Sequence, residues 1–202
     1  MSMKPKKIDP RVRRTRQLLQ DAFTSLIQEK GYEAITVQDI TERATLNRAT
    51  FYLHYRDKQD LMWQSTEEVL SELVDSLRET TKHAKKADLH VDQPHPVFVC
   101  LFEQIARHAT FYKVMLSHHQ APLADRLIEV ITDYISQGLD EFQPDDTKLT
   151  AQREIIVRYT ASAFLGVIMW WLEGGMSYSP RFMALQLMRL AIKGPYELSP
   201  FA

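Results

Sequence analysis

The stretch ATLNRATFYLHYRDK, residues 44–58, sets an Asn, two Arg, two Thr, two Tyr, a His and a Lys around a single Phe. A helix inside a protein core would not carry so many polar groups, and a helix facing only water would have no use for three aromatics. The composition fits a segment with two surfaces to satisfy, protein behind and a polar, non-protein partner in front. Asn47 is a good N-cap, and a short helix is expected from Arg48 to Tyr55. Phe51 and Tyr55 are four residues apart and share its inward face, while Arg48, Ala49, Thr50, Tyr52 and His54 cover the rest.

Working outward, TVQDITERA (36–44) reads as a second short helix. Thr36 with Asp39 three residues on makes a near capping box, and Val37, Ile40 and Ala44 form the inner face. Thr45 and Leu46 make the turn between the two. Upstream, Leu18, Leu19, Ala22, Phe23, Leu26 and Ile27 recur at helical spacing between Pro10 and Lys30, and Gly31 stands where a left-handed C-terminal residue belongs. Two short helices joined by a tight turn, behind a longer third, are the layout of a helix-turn-helix, whose second short helix enters the major groove.

The side chains suit that partner. Arg48 can fork onto guanine or phosphate, and the hydroxyls of Thr50 and Tyr52 can donate to phosphate oxygens. Ala49 lets the backbone come close and offers a methyl to thymine. Thr36 and Lys58 stand at helix starts, where free N–H groups favour a phosphate. The arm MKPKKIDPRVRRTR (3–16) can follow phosphates or enter a neighbouring minor groove. Its Lys4–Lys7 read equally well as a solubilising tail, whereas Arg13, Arg14 and Arg16 belong on the first helix. Residues 1–58 hold 12 Lys and Arg against 7 Asp and Glu, and the remainder of the chain is acidic. A basic front on an acidic body suggests that the front meets a polyanion.

ITVQDITERATLNRATFYLHYRDKQDLM (35–62) resembles the DNA-binding domain of TetR-family transcription regulators. The resemblance rests on Thr36, Ile40, Ala44, Asn47, Thr50-Phe51-Tyr52, His54-Tyr55 and Lys58. It implies that Thr36, Arg48, Ala49, Thr50, Tyr52, His54 and Lys58 touch DNA. Asn47 at the cap and Arg13 and Arg14 on the first helix complete the expected DNA-binding residues. Two positions depart from the family pattern. Thr45 stands where Gly is usual and would be strained at positive φ, and Asn47 replaces Ser or Thr. YTASAFLGVIMWWLEGGMSYSPRFMALQLMRL (159–190) is similar to the C-terminal domain of one TetR subgroup, with its W-L-x-x-G-M-x-x-S-P ending.

The rest of the chain follows from helical periodicity and punctuation. Gly is scarce, at 6 of 202 residues, and no alternating β-branched run occurs, so an all-α fold of about nine helices is expected. Further helices are expected at Lys58–Lys86, Val97–Arg107, Thr110–Ser117, Ala121–Phe142 and Leu149–Glu173, with a loop at 87–96. Ser179 as cap and Pro180 at the first position open a last helix to Lys193. The expected division is a DNA-binding domain at 1–57 and a helical effector-binding and dimerisation domain at 58–202.

The last two helices carry more apolar residues than one short domain can cover. Pairing them with a second copy as an isologous four-helix interface would bury the surplus, and a homodimer suits a near-palindromic operator. Phe102, Phe111, Tyr112, Met115, Tyr134, Phe164, Met169 and Trp170 are the candidate lining of an apolar pocket, with Tyr112, Tyr134 and Arg107 as possible polar handles. The effector expected is small and apolar or amphipathic, or else a protein coactivator binds instead.

Other function classes find little support. The most apolar stretch, ASAFLGVIMWWL (161–172), is too short to span a bilayer, and no apolar segment follows the N-terminal basic residues as in a signal peptide. Cys100 is the only cysteine, which fits a cytoplasmic setting, and is expected to be buried. His118 and His119 point apart on a helix, and His90, His95, Asp88 and Asp92 make at most an adventitious metal site. No metal, cofactor or catalytic residue is expected. The expectation is a homodimeric DNA-binding repressor released by its effector. Beside it stand a regulator whose body binds a protein coactivator, and a small-molecule-binding or enzymatic helical bundle with an incidental basic head.

Overall fold

A computed structural model describes residues 9–84, 93–117 and 123–194. Among these residues there are nine α-helices: α1 (Pro10–Lys30), α2 (Val37–Arg43), α3 (Arg48–Tyr52), α4 (Lys58–His83), α5 (Pro96–Arg107), α6 (Ala109–Ser117), α7 (Leu123–Phe142), α8 (Arg153–Glu173) and α9 (Pro180–Lys193). A 3-10 turn at Asp146–Lys148 precedes α8. Lys4–Lys7 and most of the expected 87–96 loop lie outside the described residues.

The chain divides into two compact units, Met1–Thr66 and Glu67–Ala202. The division falls inside α4, later than the expected boundary at residue 57. The cause is local: Lys58 donates to the Tyr32 and Ile35 carbonyls, each at 3.0 Å, and Leu61 and Met62 are buried, so the first turns of α4 belong to the head.

In the first unit Leu19, Phe23, Ile27, Ile35, Ile40 and Phe51 form the core. Asp9 caps α1 by accepting from the Arg11 amide at 2.8 Å, Pro10 fills the first position, and Gly31 ends the helix at φ 76°. Thr36 and Asp39 complete the capping box of α2 in both directions. The turn after α2 is a Schellman motif: Thr45 N–H donates to Glu42 O at 3.1 Å and Leu46 N–H to Thr41 O at 2.9 Å. Thr45 sits at φ 56°, the left-handed region that the sequence departure brought into question. Helix α3 ends at Tyr52, short of the expected Tyr55, because Leu53 and His54 turn the chain so that Tyr55 can point inward.

In the second unit α5 packs along α9 and α7 along α8, with α6 against both α7 and α8. Phe102 meets Trp171 edge-on at 5.3 Å. Arg153 begins α8 and ties the preceding turn: Nε reaches Asp146 at 2.7 Å, Nη1 Asp140 at 3.0 Å, and Nη2 the Gln143 carbonyl at 2.7 Å. This clamp holds residues 149–152 outside α8, where the sequence suggested helix. The double glycine ends α8 in a second Schellman turn with Gly175 at φ 72°, and Trp171 Nε1 donates to Tyr178 O at 2.9 Å across it.

Helix α8 is longer than the apolar stretch 161–172. It has 21 residues, and an 18-residue window of it has a mean hydropathy of 1.6, so it is long and apolar enough by length and composition to cross a membrane, unlike the expectation. Its stripe of Val157, Ala161, Phe164, Ile168 and Trp171 is buried against the rest of the unit, which is how a core helix of this composition is used.

A left-handed β-branched residue costs about 1–2 kcal/mol. Thr45→Gly is therefore expected to stabilise the protein by about 1 kcal/mol after the extra unfolded-state freedom of glycine is deducted, measured by urea unfolding. An unchanged or lower midpoint would show that the turn holds no strain.

Candidate nucleic-acid interface and effector cavity

The short helix α3 has two distinct faces. Phe51 is fully buried, with Tyr52 at 5.5 Å and Tyr55 at 5.7 Å between ring centroids. Asn47 Oδ1 accepts from the Thr50 amide at 2.7 Å and from its hydroxyl at 2.9 Å, so both are held by the cap. On the outer face Arg48 and Ala49 are exposed and Tyr52 is 51% exposed. Leu53 continues this face at 82% exposure. It was missed in the sequence because an apolar residue inside an aromatic run reads as core, and its exposure suits it to a thymine methyl or a sugar.

Arg13 and Arg14 are exposed on α1, and neither they nor Arg48 form an ion pair among the described residues. Arg16 lies 6.0 Å over the Tyr55 ring. His54 is half-buried, and burial together with Arg16 lowers its pKa, so at neutral pH it offers a neutral imidazole rather than a cation. Thr36 is exposed, but its hydroxyl is held at 2.6 Å by Asp39.

Lys58 is disposed differently from the expectation of a free phosphate ligand. Its ammonium donates to the carbonyls of Tyr32, Glu33 and Ile35 at 3.0, 3.3 and 3.0 Å, and lies 4.5 Å from the centroid of the Tyr32 ring. An ammonium has three protons to donate, and all three have carbonyl partners. Lys58 thus fastens the loop between α1 and α2 to the start of α4.

The acidic groups of the head are also engaged. Glu29 takes both Arg43 guanidinium nitrogens, at 2.7 and 2.6 Å, which with Ser25 lowers its pKa from 4.5 to about 2. Asp39 pairs with Lys30 at 2.8 Å, and this contact with Thr36 holds its carboxyl well below the usual carboxylate range.

The second unit contains an apolar cavity of about 220 Å³ between α4, α5, α7, α8 and α9. It is partly open to the surface, so it is a cleft that a ligand could enter rather than a sealed void. Of the eight expected lining residues, Tyr134 and Phe164 line it, together with Leu77, Phe98, Leu101, Gly138, Phe142 and others. Phe102, Phe111, Tyr112 and Met115 are buried in packing outside its lining, Met169 lies beside Leu116 and Leu172, and Trp170 is 57% exposed. Helical spacing marks an apolar face but does not say whether that face meets a neighbour, a void or another chain. Of the possible handles, Tyr134 donates its hydroxyl to Val74 O at 3.5 Å, Tyr112 is buried, and Arg107 is exposed. Among the described residues that line it, none is charged.

Among the described residues no group of three His, Cys, Asp or Glu is placed to hold a metal. His90, His118, His119, Asp88 and Asp92 lie outside them. His95 is buried and caps α5, and Cys100 is half-buried rather than fully enclosed.

A family model for bacterial regulatory proteins of the tetR family matches residues 19–64, over the helix-turn-helix just described. A second, for a transcriptional regulator C-terminal region, matches residues 92–193, over the cavity-bearing unit. The chain belongs to the TetR family of transcriptional regulators. Members of this family are DNA-binding regulators rather than enzymes.

The HTH-type transcriptional regulator YxbF of Bacillus subtilis (strain 168) is 26% identical to this TetR-family chain over 196 residues, 96% of this chain and 49% of that one. The chain thus spans about half the length of that relative. Among solved structures, the fatty acid degradation regulator FadR from Bacillus halodurans matches with a TM-score of 0.70 at 20% identity, covering 94% of this chain and 98% of that. FadR from Bacillus subtilis, in complex with stearoyl-CoA, matches at 0.68 and 16% identity, covering 89% and 99%. Both share the all-α fold of this TetR-family chain.

Two outcomes follow for the head. Lys58→Met is expected to destabilise it by about 1–2 kcal/mol, since charge-assisted bonds to carbonyls are lost, read by denaturant unfolding. Unfolding like the unaltered protein with weakened DNA binding alone would return Lys58 to the phosphate. For Glu29, the folded pKa is depressed, so its stabilisation is complete above 4.5 and is lost as pH falls toward about 2, where the folded carboxyl also protonates. Glu29→Gln should lower the melting temperature at pH 7 and flatten its decline across that acid window. A decline as steep as before would contradict this.

Proposed function

We propose that this TetR-family chain is a cytoplasmic, homodimeric repressor that binds a near-palindromic operator and is released by a small apolar or amphipathic effector. The observation that carries the DNA-binding half is the exposed face of α3, where Arg48, Ala49, Tyr52 and Leu53 project from a helix anchored behind by Phe51. Arg48 is read as a base contact. Arg13, Arg14, Thr36 and Thr50 are read as contacts to the backbone, through side chains or helix-start amides, and His54 as a neutral donor.

Pairing through the last two helices is supported by what they leave uncovered. Ile155, Tyr159 and Trp170 are exposed on α8, as are Phe182, Leu190 and Ile192 on α9. Trp170, Tyr178 and Phe182 form an aromatic ladder, with the last two stacked at 4.9 Å. Between Tyr159 and Trp170 the same face is low, with Ser162, Ala163 and Gly166 exposed, and a second helix could approach there closely. One chain leaves such a face in water, and an isologous partner would cover it.

The effector reading rests on the cavity. Leu77 lines it, and Leu77 belongs to the helix that begins at Lys58 in the head. A ligand that prefers one setting of α4 by roughly 1–3 kcal/mol would shift the DNA-binding equilibrium accordingly. The apolar cavity favours a small molecule over a protein coactivator. The Bacillus subtilis FadR is recorded with stearoyl-CoA. At 16% identity that likeness speaks for the fold, so the class of effector is argued here from the lining alone.

The reading is tested by light scattering and gel shift with DNA flanking the gene. A dimer and a specific shift are expected, with Arg48→Ala altering which sites are chosen. The double change Tyr159→Asp and Trp170→Asp should give monomers with affinity about a hundredfold lower, since linked binding is lost. A monomeric wild-type protein, or one that shifts no fragment, would end the proposal.

A further inference from the structure

Helix α7 turns one apolar stripe toward the cavity. Ile131, Tyr134, Ile135, Leu139 and Phe142 recur at helical spacing, and all of them line it. Gly138 falls on the same stripe and also lines the cavity. By local criteria it is the wrong residue, because glycine weakens a helix and the stripe calls for an apolar side chain. Its φ is not positive, so no left-handed backbone requires it, and a Cβ built there would meet nothing within 4 Å. Other glycines have such reasons: Gly31, Gly175 and Gly194 sit at positive φ, and a Cβ on Gly174 would come 3.3 Å from the Trp170 carbonyl. At Gly138 nothing among the described residues accounts for the missing side chain, and the space it leaves belongs to the cavity.

We propose that Gly138 is the specificity-determining position of the cavity, holding open the room in which an uncharged, apolar portion of the ligand lies. The inference rests on the cavity being the effector site. The lining supplies the chemical class. Among the described lining residues, Thr160 and Tyr134 bring the only side-chain hydroxyls, and Tyr134 already donates to Val74 O. Against this described lining a charged group would meet no counter-ion and no shell of donors or acceptors. An aliphatic chain or an uncharged ring therefore fits, and any charged group of the ligand stays outside. A Cβ added at 138 meets nothing within 4 Å, and a side chain grown from it enters the space the ligand would take.

The test uses the full chain and the neutral apolar fluorophore N-phenyl-1-naphthylamine. Wild type is expected to bind it saturably. Gly138→Ala should weaken binding about threefold and Gly138→Leu about tenfold or more, the range over which one or a few carbons act in an apolar pocket. The alanine variant should melt about 2–4 °C higher, because a helix residue replaces glycine where its Cβ is unobstructed. Gln137→Leu, exposed on α7 beside Gly138 and outside the cavity lining, should leave the fluorophore's affinity unchanged. A leucine variant at 138 that binds as tightly as wild type, an alanine variant that melts lower, or an equal loss at Gln137 would overturn the assignment while leaving the cavity reading intact. Wild type without saturable binding would overturn the cavity reading, and the assignment with it.

Discussion

A helix of five residues cannot hold itself together, since isolated helices shorter than about 12–15 residues are marginal in water. The recognition element α3 has that length, so its surroundings must supply its conformation. Asn47 fixes its start by accepting two hydrogen bonds from Thr50, and Phe51 fixes its depth by complete burial. The chain leaves it through a second set of local bonds: the Arg56 amide donates to Asp60 at 2.8 Å, and the Asp60 amide to Asp57 at 2.8 Å, opening α4. Lys58 then secures the other side of the head. The outward side chains have a defined direction only because these inward contacts are satisfied.

The charges of the head are divided on the same principle. Its carboxylates are largely occupied within the head: Glu29 with Arg43, Asp39 with Lys30, Asp60 with Arg56. These exposed or half-exposed pairs contribute modestly to stability, but they withdraw negative charge from the field in front of the protein. Arg13, Arg14 and Arg48 carry no such partner among the described residues, so the arginines left over are those nearest the proposed duplex.

Much of this was legible in the sequence wherever punctuation was strong. Pro10 and Gly31 bound α1, and Ser179-Pro180 and Gly194 bound α9, at the residues expected, because helix starts and left-handed glycines act locally. The start of α8 was not legible, since it is set by Arg153 reaching side chains and a carbonyl 7 to 13 residues away. The strain at Thr45 could be foreseen from a missing glycine. The role of Lys58 could not, because its carbonyl partners lie 23 to 26 residues upstream and no spacing rule brings them together. The cavity was the least legible part. Core and cavity use the same apolar residues at the same intervals, and Gly138 was visible only as a gap in a stripe whose meaning needs three dimensions.

Every described residue lining the cavity belongs to the unit beginning at Glu67, and every side chain proposed for the duplex belongs to the unit ending at Thr66. On the proposed function, address and cue are therefore written in separate parts of the gene. A lineage with that function would acquire a new inducer by changing one or two codons behind Glu67 and go on governing the same promoters, or move to new promoters while obeying the old inducer. The segment least free to vary is the single helix shared by both halves, whose length and continuity any such tinkering must inherit.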